Sequence, residues 1–474
     1  MSASLEHLLR DARIDLVLSR IEKDEAVINE VINHLGSEIR SVKFNAILVL
    51  GELGQKSVNG LSKLKECLED NDWSICREAA RTMGKIGKIA NDAIPQLSKM
   101  LTDNEESIRK EAAIAIGSIG EPTNEAISGL IDALDDKSEI VRAEVAIALG
   151  DLGTDAYEAI PHLMNGLKDV SWKVRTASAQ SISKIGRGST KAIPNLITAL
   201  EDPDWRVRYR VSNTLSDIGE AAIPSLLDIL SHKSDTVRKK AVETLGEMKV
   251  NDPKIIERVA DLLNDKVEAV RGKAADALRN IGKIAVPYLI KAIEKSNINM
   301  RNIIISALRG ISIDAEEAVP VLIDYLYMQE QEKDISPTFT NKFIKKMDTF
   351  FKDPFSKKAS FRVEVARALG EIGLNSEEAV YALAKALNDP KYIVRRVAAL
   401  SLGKLGSISN KVIPSLIKAL KDENPDVRWR ASEALGLIGI NTDEIISSLN
   451  GLVHDRCDYV CESALNAIDI LTEE

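Results

Sequence analysis

His454, Cys457 and Cys461 are the nearest approach to a metal-ligand set in this sequence. One helical turn would bring the two thiols together, and thiolate and imidazole both bind zinc. No fourth ligand accompanies them, so small residues in an ordinary terminal unit is the weightier reading. The other histidines, His7, His34, His162 and His232, are scattered singly. The segment from Gly51 to Ser57 has the wrong glycine spacing for a phosphate-cradling loop. No catalytic residue, cofactor or metal site is therefore assigned, and the chain is expected not to be an enzyme.

Three groups of residues have the chemistry of binding instead. Trp172 and Arg175 are followed one period later by Trp205, Arg206, Arg208, Tyr209 and Arg210, and Trp73 and Tyr392 hold the same position elsewhere. Aromatics beside arginines stack on bases or hold phosphates; they also make the anchors of protein interfaces. The interleaved acids Asp202, Asp204 and Asp217 and a net charge of −9 disfavour nucleic acid. The plain alternative is that each tryptophan covers a seam between units. A second group lies in a Phe/Lys-rich insertion, residues 331–358, with Phe339, Phe343, Phe350 and Phe351 among seven lysines and four acids. It reads as an element that grips a partner or touches a membrane surface peripherally, or as phenylalanines that fold back and fill a local groove. Third, Val363, Val397, Leu400 and Trp429 are apolar where other units carry polar residues. They suit an amphipathic partner helix or tighter packing.

The elements that position these residues announce themselves by period. An arginine after a branched apolar residue, or after Met300 or Phe361, falls at 109, 142, 175 and 208, then 238, 271 and 301, then 362, 395 and 428, with Lys43, Cys76 and Cys461 in the same slot. Most spacings are 33, two are 30 and one is 61, where the insertion interrupts a unit. Such a period marks stacked supersecondary units. In one unit, Ile160, Leu163, Met164 and Leu167 line one helix with Pro161 in its first turn. A second helix runs through Val174, Ala177, Ile182 and Ile185 to a closing Gly186. The expectation is two helices of about ten to fourteen residues each. Ser171, Asp72, Ser138, Asp204, Asn297 and Asn424 stand where the second helix should be capped. Both shortened spacings fall in the loop between units, which absorbs deletions while the helices keep register.

The recurring Ala-Ile-Pro, Ala-Leu, Asp, Val-Arg, Ala-Leu-Gly and Ile-Gly resemble HEAT repeats of the phycobilisome-lyase-like type, over about residues 25–474. The resemblance implies an all-α, right-handed α-α superhelix of about thirteen helical hairpins. It also implies a ladder in which the turn aspartates Asp70, Asp103, Asp136, Asp169, Asp202, Asp265, Asp389, Asp422 and Asp455 meet the slot arginines between units. Cys76, Cys461 and His232 should break it. Some members of the wider group are di-iron hydroxylases that hold metal through His-Glu dipeptides; this sequence has none.

The organisation read from the sequence is an N-terminal capping helix over 1–24, repeats over 25–330, the insertion over 331–358 and repeats over 359–474. The polar end at Thr472 is read as closing the stack. Aromatics at 4% suit helices packed through small side chains. No stretch has the roughly 18 apolar residues of a membrane span, the first twenty residues lack the apolar core of a signal peptide, and four cysteines make no disulfide framework. The expectation is a cytoplasmic scaffold or adaptor that binds another protein along its concave face. The alternatives are a subunit of a bilin lyase-type enzyme or a nucleic-acid-binding HEAT-like protein.

Overall fold

Proline and glycine punctuate many hairpins of the computed structural model, which describes residues 4–327 and 357–472. Pro95, Pro161, Pro194, Pro224, Pro287 and Pro414 lie in the first turn of the first helix of their hairpins, where a missing N–H costs nothing. Gly87, Gly186 and Gly219 end second helices at φ 77°, 64° and 76°, a backbone region that a Cβ disfavours. Lys249 and Ser312 hold the equivalent positions with φ 49° and 64°, so the turn geometry persists without glycine. No strand occurs among the described residues.

Thirteen second helices can be followed, from Arg40–Leu53 through Trp172–Ile185 and Trp205–Ile218 to Asp458–Thr472. They run 13 to 16 residues. The first helices are shorter than expected, at six to ten residues; in many hairpins the chain before the first helix winds as a 3-10 segment such as Gly153–Ala159. The deletions are taken up in these segments: Gly219–Ala222 has four residues where Gly153–Ala159 has seven. Asp72, Ser138, Asp204, Asn297 and Asn424 cap their helices through side-chain oxygens. Ser171 does not.

The chain divides into two compact units, Met1–Thr244 and Leu245–Glu474. In the first unit the N-terminal segment forms two helices, Leu5–Arg10 and Ile14–Lys23, rather than one. The break is at Ala12, with φ 55°. Leu9 and Val17 are fully buried, and the Asn45 side-chain amide donates to the Leu9 carbonyl at 2.7 Å, which ties the segment to the helix Arg40–Leu53. In the second unit the last helix does not close in polar residues. Leu465 and Ile470 are 46% and 56% exposed, whereas Ser432, one period before Leu465, is fully covered.

Within each unit the second helices pack directly on one another, and glycine makes this possible. A Cβ on Gly117 would stand 2.9 Å from the Ala148 Cα, and one on Gly150 would stand 2.9 Å from the Ser181 Cα. Gly403 meets Ala434 in the same way in the second unit, at 2.8 Å. At this separation, hydroxyls on one helix reach carbonyls of the previous one. Ser181 donates to Ala146 at 2.6 Å, Thr214 to Ala179 at 2.9 Å and Ser401 to Ala366 at 2.9 Å. These three buried hydroxyls are thus satisfied across the seam.

Candidate protein-interaction face

The slot arginines lock neighbouring hairpins. Arg109 donates to both Asp136 oxygens at 2.6 and 2.9 Å and to the carbonyls of Asp103 and Asn104. Arg142–Asp169 and Arg175–Asp202 repeat the arrangement in the first unit, and Arg362–Asp389, Arg395–Asp422 and Arg428–Asp455 in the second. Lys43 reaches Asp70. Such bidentate pairs fix geometry as well as charge. Burial pushes the Asp136 carboxyl up, but Arg109 and the Ser138 amide outweigh it and hold it below its ordinary value. Asp169 is held down likewise, against burial, by Arg142, and Asp455 by Arg428 directly. At the two cysteine positions the thiols donate to the Asp70 and Asp455 carbonyls at 2.8 and 3.2 Å. Both keep the bond within the hairpin, and Cys76 makes none across the seam to Asp103. At His232 the imidazole Nδ1 accepts from the Ser234 amide, as the aspartates do elsewhere, and lies 3.6 Å from Glu201.

This ladder removes Arg175 from the candidate binding surface, and Arg208, whose partner position across the seam holds His232, is held by its own hairpin. Arg175 is spent on Asp202, and Arg208 donates to the carbonyls of Asp202 and Pro203. Arg206 is also engaged. Its guanidinium lies 3.5 Å from the Trp172 ring centroid and grips Asp204 at 2.6 Å, holding that carboxyl down to about 2. Trp172 is accordingly half-buried beneath its neighbour, which is the seam-covering alternative realised at this position. Trp205 and Tyr209, one turn apart on the helix Trp205–Ile218, are 65% and 51% exposed. Beside them Arg210 forms no ion pair among the described residues, and its buried Nε has no hydrogen-bond partner.

The third group divides. Val363 and Val397 are buried, so these two pack the interior and offer no strip to a partner. Leu400 and Trp429 are half-buried. Trp429 is held edge-on to Tyr459, with ring centroids 5.6 Å apart, under the Arg430 guanidinium at 3.6 Å. Phe339, Phe343, Phe350 and Phe351 lie outside the described residues. Cys457 and Cys461 are unpaired, and among the described residues no group of three or more His, Cys, Asp or Glu is placed to hold a metal. No described helix is long and apolar enough to cross a membrane.

The sequence also carried a signal that the arginine period overshadowed. Glycine recurs at 51, 84, 117 and 150, and again at 370, 403 and 436, which is the row of close approach between second helices.

A family model for HEAT repeats matches residues 28–117, 61–150, 94–183, 160–239, 223–309, 356–416 and 405–469. The chain belongs to the HEAT-repeat family. No curated protein matches it. Among solved structures it is similar to an engineered protein, with 19% identity over 94% of this chain and 99% of that one and a TM-score of 0.26. It is similar as well to Kap95p, whose binding induces the switch loops of RanGDP to adopt the GTP-bound conformation, with 12% identity over 94% and 72% and a TM-score of 0.44. Kap95 in complex with Nup1 gives 12% identity over 95% and 77% and a TM-score of 0.48.

Proposed function

We propose that this HEAT-repeat protein is a non-enzymatic scaffold that holds another protein on the face of its second helices, with Trp205 and Tyr209 as anchors. The observation that carries this reading is the contrast between spent cations and open aromatics. A nucleic-acid strand is held by many phosphate contacts, yet Arg175, Arg206 and Arg208 are engaged within the chain and Lys173 is paired with Glu139 at 3.0 Å. What stays open is a large aromatic pair, the material of protein hot spots. Four unpaired cysteines fit a reducing compartment such as the cytoplasm.

Site-specific photocrosslinking tests the reading. A benzophenone side chain at position 209 of the full chain should capture a discrete protein from native extract, and one at His162, on a first helix, should not. Capture at 162 alone, or salt-sensitive capture of nucleic acid at 209, overturns it.

A further inference from the structure

One row of second-helix residues changes character in the last two hairpins. In the second unit it runs from Glu371 and Lys404, which are bound to each other at 3.3 Å, to Leu437 and Ile470. Every earlier second helix fills this position with a charged residue, serine, asparagine or glycine. Leu437 is 53% and Ile470 56% exposed. Leu437 lies on the helix Pro425–Ile438, against which the helix Asp458–Thr472 is already packed, so stacking does not cover it. Ile470 reaches the adjoining backbone: a Cβ on Gly436 would stand 3.8 Å from its Cδ1. Three turns away on the same side of the last helix, about 16 Å at 1.5 Å per residue, Tyr459 is 40% exposed and its hydroxyl donates to Asp426 at 3.1 Å. An apolar line thus runs from Tyr459 to the Leu437–Ile470 pair.

The charge beside that line has one sign. From Asn441 onward the chain holds eight acids against one arginine, most of its net charge of −9. Glu462 and Asp469 are exposed and stand three residues beyond Tyr459 and Asn466, which sets them along the line. The last helix has no lysine or arginine of its own. Cations on the helix before it are engaged: Arg428 with Asp455 at 2.7 Å, and Arg430 with Glu433 and the Trp429 ring.

We infer that Leu437, Ile470 and Tyr459 seat a cationic amphipathic helix of a partner protein, its apolar side on this line and its lysines or arginines facing Glu462 and Asp469. This surface lies in the second unit, apart from Trp205 and Tyr209, and goes beyond the reading above. The apolar side of an amphipathic helix repeats every three to four residues and so offers anchors about three turns apart. Burial of those anchors supplies the affinity, while the exposed charges set the orientation and the rate of encounter. The same charges repel an acidic helix, a nucleic-acid strand and the matching face of a second copy.

The test uses the full chain and three fluorescent peptides of about fifteen residues, long enough to form a helix on binding. The first sets leucine and lysine at amphipathic helical spacing; the second replaces its lysines with glutamate, and the third its leucines with serine. The third carries the charge without the apolar side, so it reports unspecific attraction to a chain of net charge −9. Anisotropy at about physiological salt should show the leucine–lysine peptide bound at least about tenfold more tightly than either other. Leu437→Ser with Ile470→Ser should weaken that binding about tenfold and leave the circular-dichroism melt unchanged. Glu462→Lys with Asp469→Lys should weaken it about fivefold. Asp155→Lys with Glu158→Lys, which alters net charge equally at exposed sites of the first unit, should leave it unchanged. Equal binding of the lysine–serine peptide, indifference to Leu437→Ser with Ile470→Ser, or equal effects of the two charge reversals overturns the inference. So does a chain that is dimeric by light scattering and becomes monomeric with Leu437→Ser and Ile470→Ser, because a second copy then occupies the line. None of these results alters the crosslink expected at position 209, so the two readings fail separately.

Discussion

Arg109 shows how much one side chain can contribute to a stack of this kind. It and Asp136 have side chains only 4% and 9% exposed, so truncating one strands the other's charge. Arg109→Ala should cost about 3–5 kcal/mol, read as a lower urea midpoint. Equal stability would mean that the ladder is decorative. The aspartates also set an acid limit. Asp136, Asp169 and Asp455 lie below 3.8 when folded, and a group with a depressed folded value stabilises above its unfolded value. That contribution disappears as pH falls through the folded value. The melting temperature should hold from neutrality to about pH 4.5 and fall below about pH 4, with a shallower fall in Asp169→Asn. A melt already declining between pH 7 and 5 would assign the acid sensitivity to other groups.

At the scale of the helix and the turn, two substitutions separate packing from backbone strain. Gly117→Val drives a branched side chain into the Ala148 backbone and should cost about 1–3 kcal/mol, seen as a lower melting temperature of the full chain. Ser312→Gly acts oppositely. Ser312 has φ 64° and ψ −139°, a region natural only to glycine, so relief should gain about 1 kcal/mol after glycine's own entropic cost. A loss there would mean that the serine side chain is needed for another reason. Hairpin order, proline starts and glycine ends were legible because each recurs in phase, so many weak signals add, whereas the Arg–Asp partners came only with the resemblance to HEAT repeats. The short first helices were not, because an i→i+3 turn and an α-helical turn use the same residues. Nor was the fate of Val397, whose burial depends on which neighbour lies across it. The same holds for Arg175 and Arg206, which the sequence offers as free cations and the packing consumes.

Across the protein, the layering of each unit means that function must be read from side chains that stacking leaves open. Part of the second-helix surface carries ion-pair ladders of its own, such as Lys85 to Glu52 at 2.7 Å and Lys404 to Glu371 at 3.3 Å. Trp205 and Tyr209 are open. So is Tyr381, 53% exposed on the first helix Glu377–Ala386, and it serves as an internal control. Hydroxyl-radical footprinting of the full chain should oxidise all three in isolation. With the crosslinked partner present, the account predicts protection of Trp205 and Tyr209 and none of Tyr381. Protection of Tyr381 with Trp205 and Tyr209 still reactive would contradict it.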